Sequence, residues 1–159
     1  VNLATALLAS SVINLFQATI EKVVALAVLM PVVASMGGIA GTQSLTILIR
    51  AMAMGQINNH NQFWVVGRES LVGALNGILW AFVIAATAAI WFGDLTLGFI
   101  IACAMLINLV TAGCAGAGLP LVLKKLHVDP ALAGGVLVTT VTDVVGFLAF
   151  LGLATLFYT

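Results

Sequence analysis

Residues 138–146 read Val-Thr-Thr-Val-Thr-Asp-Val-Val-Gly, and they set one carboxylate, Asp143, inside an apolar run that extends from Ala131 to Tyr158. At about 1.5 Å per residue a helix over that run exceeds the roughly 30 Å hydrocarbon thickness of a bilayer, so Asp143 falls near mid-membrane. A carboxylate there costs on the order of 2.5 to 3.5 kcal/mol on insertion scales. It therefore has to face a protein interior, a partner or a water-filled path. Thr139 and Thr140 lie four and three residues before Asp143 and Gly146 three residues after, which puts all of them on its helical face. Hydroxyl and carbonyl oxygens in that pattern are hard ligands, suited to a hard cation or its hydration shell. A protonated Asp143 bonded to a neighbouring helix, with threonines bonded back to their own carbonyls, is the plainer alternative.

Working outward, the 159 residues hold five Lys+Arg, five Asp+Glu and 63% hydrophobic side chains, a composition that excludes a soluble domain. The expectation is an all-α integral membrane protein, residues 1–159 forming one transmembrane domain whose partner is membrane lipid. A formal net charge of zero gives no reason to expect nucleic acid. The stretch up to Phe16 has no basic leader and no initiator Met, so the chain is expected to begin partway through a larger protein. Cys103 and Cys114, about 16 Å apart along a helix, read as packing residues, and His60 and His127 as solvated loop residues.

Hydropathy predicts five spans, over about 1–20, 23–49, 70–91, 97–123 and 131–158. The second contains Pro31 and then Ser35-Met-Gly-Gly-Ile-Ala-Gly-Thr-Gln-Ser44. Proline removes a donor and crowds the preceding turn, so a kink is expected there. Gly37 and Gly41 form a GxxxG pair that permits close helix contact, and with Gly38 and the polar residues after them they suggest that this span lines the same path as Asp143. Arg68 and Glu69 read as the approach to the third span, after a polar connection from Gly55 to Gly67. Gly113-Cys-Ala-Gly-Ala-Gly118 before Pro120 predicts close packing or an irregular turn in the fourth. Pro130 starts the fifth, with Asp129 as its N-cap. Arg50, Arg68, Lys124 and Lys125 fall on one side and Lys22 on the other, which orients the N-terminus to the cytoplasm and the C-terminus outside a cell membrane.

Intramembrane proteolysis needs two facing carboxylates, and Asp94 is predicted at the opposite boundary from Asp143. No nucleophile and base, metal cage or phosphate loop stands at a usable spacing, so an enzyme is not expected. One carboxylate per chain cannot surround a bare divalent ion, but it can hold a hydrated one, and a symmetric dimer would double the charge. A Na+- or H+-coupled secondary transporter and a non-conducting assembly subunit remain as alternatives.

The chain resembles the transmembrane domain of the MgtE family of magnesium channels and transporters. The resemblance rests on Pro31, Met36-Gly-Gly-Ile-Ala-Gly-Thr-Gln-Ser44 and Ile49-Arg50, then on Asp129-Pro130-Ala131 and Thr139-Thr140-Val-Thr-Asp143 with Gly146. It implies a homodimer with a pore at the two-fold axis lined by spans two and five, including Pro31, Gly37, Gly38, Gly41 and Thr140. Asp143 matches the aspartate that holds a hydrated Mg2+, the transported ion, and Thr139 and Gly146 match positions bordering it through backbone oxygens. Ile39 stands where the family pattern has Asn, and Gln17 where an acidic residue is common. The family's cytoplasmic sensing region has no counterpart in these residues.

Overall fold

The structure, a computed structural model, describes residues 2–158. It is all helical among the described residues: α1 (Asn2–Leu15), α2 (Gln17–Lys22), α3 (Ala25–Ala53), α4 (Gln62–Phe92), α5 (Leu95–Lys125) and α6 (Pro130–Tyr158). Four of these, α3 to α6, have 29 to 31 residues and are apolar enough to cross a membrane. Their ends are chemically marked. Asp94 caps α5 by accepting from the Thr96 and Leu97 amides at 2.8 and 3.2 Å, and Gly93, at φ 64°, takes the left-handed turn that reverses the chain before it. Asp129 accepts from the Ala131 amide at 2.9 Å ahead of Pro130, as the sequence predicts. Lys124 and Lys125 close α5, where cations complement the helix dipole.

Two elements differ from the sequence expectation. The continuous span expected over 1–20 divides at Phe16, whose φ of −110° and ψ of 17° interrupt the helix between α1 and α2. Phe16 packs against the buried core, and the Thr19 hydroxyl pairs with that of Thr155 on α6 at 2.8 Å, so tertiary contacts set the break. Secondly, α4 begins at Gln62, so Phe63, Trp64, Arg68 and Glu69 belong to a helix and not to a connection. The Arg68 guanidinium lies 5.8 Å from the Trp64 ring centroid, within cation–π range. Helix α3 is continuous through Pro31, and α5 is continuous through Gly113–Pro120, where the close-packing expectation holds in place of an irregular turn.

Helix α5 is the centre of the bundle, packed against α4, α3 and α6. Its residues Ile100, Ile101, Ala104, Met105 and Leu109 are sealed from the surface, whereas Leu75, Phe82 and Ile90 of α4 point outward. Between helices in lipid the hydrophobic effect contributes little, and close contact at small residues takes its place. The glycines show where. Gly73 and Gly77 of α4 sit on α5 at Leu109 and Leu106, Gly113 sits on the Glu69 carbonyl, and Gly98 on that of Ala85, so α4 and α5 run antiparallel. Gly116 sits on the Gly41 carbonyl of α3, and Gly134 of α6 on Leu45.

A methyl added at Gly113 would stand 2.5 Å from the Glu69 carbonyl oxygen and 3.0 Å from its carbon, both backbone atoms that cannot rotate away. Gly113→Ala should therefore destabilise by about 1–3 kcal/mol in detergent unfolding. Gly118 has nothing within 4 Å of the same position. Gly118→Ala should be neutral or stabilising by up to about 1 kcal/mol through helix propensity, and equal losses at the two sites would refute close packing as the cause.

Candidate functional site

Asp143 lies about 20 Å along α6 from Pro130 and about 22 Å from Tyr158, midway in the helix. It is half-buried and lines a cavity of about 380 Å3 with Thr42 of α3, Gly135, Val136, Thr139 and Thr140 of α6, and Asn2, Thr5 and Ala6 of α1. No basic side chain is among those lining residues. The hydroxyls are arranged alike. Thr5 donates to the Asn2 carbonyl at 2.9 Å, Thr42 to those of Gly38 and Ile39 at 2.5 and 3.0 Å, Thr139 to that of Gly135 at 2.9 Å and Thr140 to that of Val136 at 2.7 Å. The threonines thus do bond back to their own helices, and the consequence is useful: each hydroxyl proton is spent on the backbone, leaving oxygen lone pairs as acceptors. A carboxylate and a ring of acceptors suit a cation or the outward-pointing hydrogens of its water shell. Among the described residues no three His, Cys, Asp or Glu side chains gather as a metal cage.

The remaining sequence candidates divide by face. Gly38 lies beside the Thr139 methyl, 3.8 Å from where its own Cβ would stand, at the edge of the cavity. Gly37, Gly41 and Gly146 are buried on the inner faces of α3 and α6, where Gly37 and Gly146 meet Asn108 and Gly41 meets Val138. Pro31 is exposed on α3. Asn2 and Thr5 enter the cavity from α1, and their three-residue spacing, a helical signal, is the trace of this in the sequence. The sequence expectation leaves Glu69 outside the third span. In the fold Glu69 is buried, and its Oε2 accepts from the Ser44 hydroxyl at 2.9 Å. A groove of about 640 Å3 between α4 and α5 is lined by Ile78, Phe82, Phe99, Leu106 and other apolar residues and has no chemistry to offer an ion.

At the other end of the bundle the Tyr158 hydroxyl donates to Asp94 Oδ2, tying the end of α6 to the start of α5. That bond, with the Leu97 and Thr96 amides, holds the Asp94 carboxyl below the usual carboxylate range against the opposing effect of burial. A lowered folded-state value contributes stability that is present above the unfolded value, about 3.9, and is lost as pH falls through the folded one. Tyr158→Phe should lower the unfolding temperature near neutral pH, and the gap to the parent should narrow below about pH 4. A gap of constant size across that range would mean that the Asp94 carboxylate is not what Tyr158 supports.

Four apolar helices long enough to cross lipid, two of which line a cavity with a carboxyl group at half the length of α6, define a multi-pass α-helical membrane protein. Comparison with known families refines this. Residues 30–153 match MgtE, described as a divalent cation transporter, and the chain belongs to that family. It is 36% identical over 151 residues to the magnesium transporter MgtE of Bacillus subtilis, covering 95% of this chain and 34% of that protein. The magnesium transporters MgtE of Thermus thermophilus and Enterococcus faecalis are 35% and 32% identical, covering 96% and 93% of this chain and 34% and 33% of those proteins. The chain thus spans about a third of the length of these relatives.

Proposed function

We propose that this chain is the membrane-embedded part of a divalent-cation transport path, with Mg2+ as its substrate and Asp143 as the group that receives the hydrated ion. The observation that carries this is the mid-helix carboxylate opening into a cavity of hydroxyl acceptors. Mg2+ dehydrates reluctantly and is often held by one or two carboxylates while keeping several waters. The name magnesium transporter carried by the relatives supports Mg2+ as the ion.

The chain pairs as a homodimer with α3 and α6 beside the two-fold axis, so that two copies of Asp143 face one path and the doubled charge favours divalent over monovalent ions. Thr139, Thr140 and Gly38 border the ion, and the glycines Gly37, Gly41 and Gly146 let the path helices close on the bundle. Helices α1 and α2 together, Asn2–Lys22, reach about 30 Å and act as the fifth crossing. The basic connections beyond α3 and α5 face the cytoplasm, and the end of α6 faces outside a plasma membrane.

Reconstitution in liposomes loaded with a Mg2+-sensitive dye tests this. Entry of Mg2+ down its gradient, without comparable entry of K+, is expected. A folded chain that passes neither Mg2+ nor other divalents would leave the assembly-subunit reading in its place. Uphill Mg2+ movement driven by an imposed Na+ or H+ gradient would reassign the path to a coupled transporter.

A further inference from the structure

Asn108, near the middle of α5, is completely buried although the fold offers its amide only half of what it needs. Its Nδ2 donates to the Val33 carbonyl of α3 at 2.8 Å, while its Oδ1 is sealed from the surface with no hydrogen-bond partner. Turning the amide over would set oxygen against the Val33 carbonyl oxygen, so this orientation is the one the site enforces. The side chain fills two notches at once. A Cβ at Gly37 of α3 would have Asn108 atoms as its three nearest neighbours, and one at Gly146 of α6 would stand 2.7 Å from Asn108 Nδ2 and 3.0 Å from its Cγ. A leucine would pack a helix junction without an unsatisfied buried acceptor, which is a costly thing to keep.

We propose that Asn108 is a positioning residue for ion discrimination: through Val33 and the Gly37 and Gly146 notches it fixes the distance between the α3 and α6 walls of the cation cavity. This rests on the reading of Asp143 as the ion's carboxylate. The leverage follows from helix geometry. Gly146 is one turn from Asp143, and Gly37 is next to Gly38, which borders Thr139. Asn108 thus braces α3 from the side away from Thr42, and braces α6 on the flank of the face that carries Asp143 to the cavity. Loosening the amide lets the walls separate. Mg2+ keeps a rigid octahedral shell with ligands at about 2.0–2.1 Å, whereas Ca2+ accepts six to eight ligands at about 2.3–2.6 Å, so a wider cavity relaxes selection against the larger ion.

The test measures Mg2+ and Ca2+ influx separately in liposomes for the parent, Asn108→Ala, Gly37→Ala and the double variant, with Asp143→Asn beside them. Asn108→Ala is expected to lower the Mg2+ to Ca2+ flux ratio by about threefold or more, a size typical of residues that act on a site through packing. Gly37→Ala, whose new methyl presses on Asn108, should shift the ratio as well, and the double variant should move back towards Asn108→Ala, because the obstruction has been removed. A purely structural role would lower both fluxes with the folded fraction and leave the ratio unchanged, which overturns the proposal. If Asn108→Ala does not fold, the Gly37→Ala ratio decides by the same criterion. Full divalent flux in Asp143→Asn would instead overturn the path itself, so the two failures are distinguishable.

Discussion

Asp143→Asn is expected to cut divalent influx at least about tenfold while leaving the protein as stable as the parent, or more so. The two halves of that result have one cause. Asparagine keeps the size of the side chain and one acceptor oxygen but removes the charge. A pair of unit charges about 4 Å apart is worth about 4 kcal/mol at an effective dielectric of 20, and a divalent ion behind one water shell keeps a useful part of that. Losing about 1.4 kcal/mol of it already means a factor of ten. The fold, on the other hand, is relieved, because a central Asp costs on the order of 2.5 to 3.5 kcal/mol in lipid and Asn avoids part of that cost. No basic residue lines the cavity to lose its partner. Initial rates of dye quenching, with unfolding temperatures on the same samples, separate the outcomes. Unchanged flux would remove Asp143 from the path, and a fall in flux matched by a fall in folded protein would make it a packing residue.

The sequence made α6 legible because its signals are local. Asp129 and Pro130 mark its start, an unbroken apolar run sets its length, and a single acid within it announces a site. The start of α4 was hidden for the opposite reason. Arg68 and Glu69 look like the edge of a span, yet Arg68 stacks on Trp64 and Glu69 is satisfied by Ser44, a residue on another helix that no local window joins to it. The break at Phe16 has no proline or glycine to signal it and follows from contacts with α6 and the core. The site divides similarly. Thr139, Thr140 and Asp143 come from helical spacing along one element, whereas Asn2 and Thr5 join them only because α1 lies alongside α6. Asn108 is visible in the sequence as one polar position in an apolar span, but its seat between Gly37 and Gly146 is a property of three packed helices.

The Ser44–Glu69 contact carries the second large effect, this time on stability. Glu69→Ala leaves the buried Ser44 hydroxyl without its acceptor, and Ser44→Ala leaves a buried carboxyl oxygen without its donor. Each change should cost about 1–3 kcal/mol in detergent unfolding. The bond itself is worth less than either truncation, since side-chain hydrogen bonds between membrane helices average about 0.6 and reach about 1.7 kcal/mol in double-mutant cycles. The coupling between Ser44→Ala and Glu69→Ala is therefore expected at about 1 kcal/mol, with the double variant more stable than the sum of the single losses predicts. Glu69 also has its carbonyl against Gly113, so this one residue joins α3, α4 and α5 at the end of the bundle where Arg50 and Lys124 lie. A coupling near zero would mean that Ser44 and Glu69 are held by separate packing contacts. In that case α4 begins at Gln62 without help from α3, and the contact between Trp64 and Arg68 is what supports its first turns.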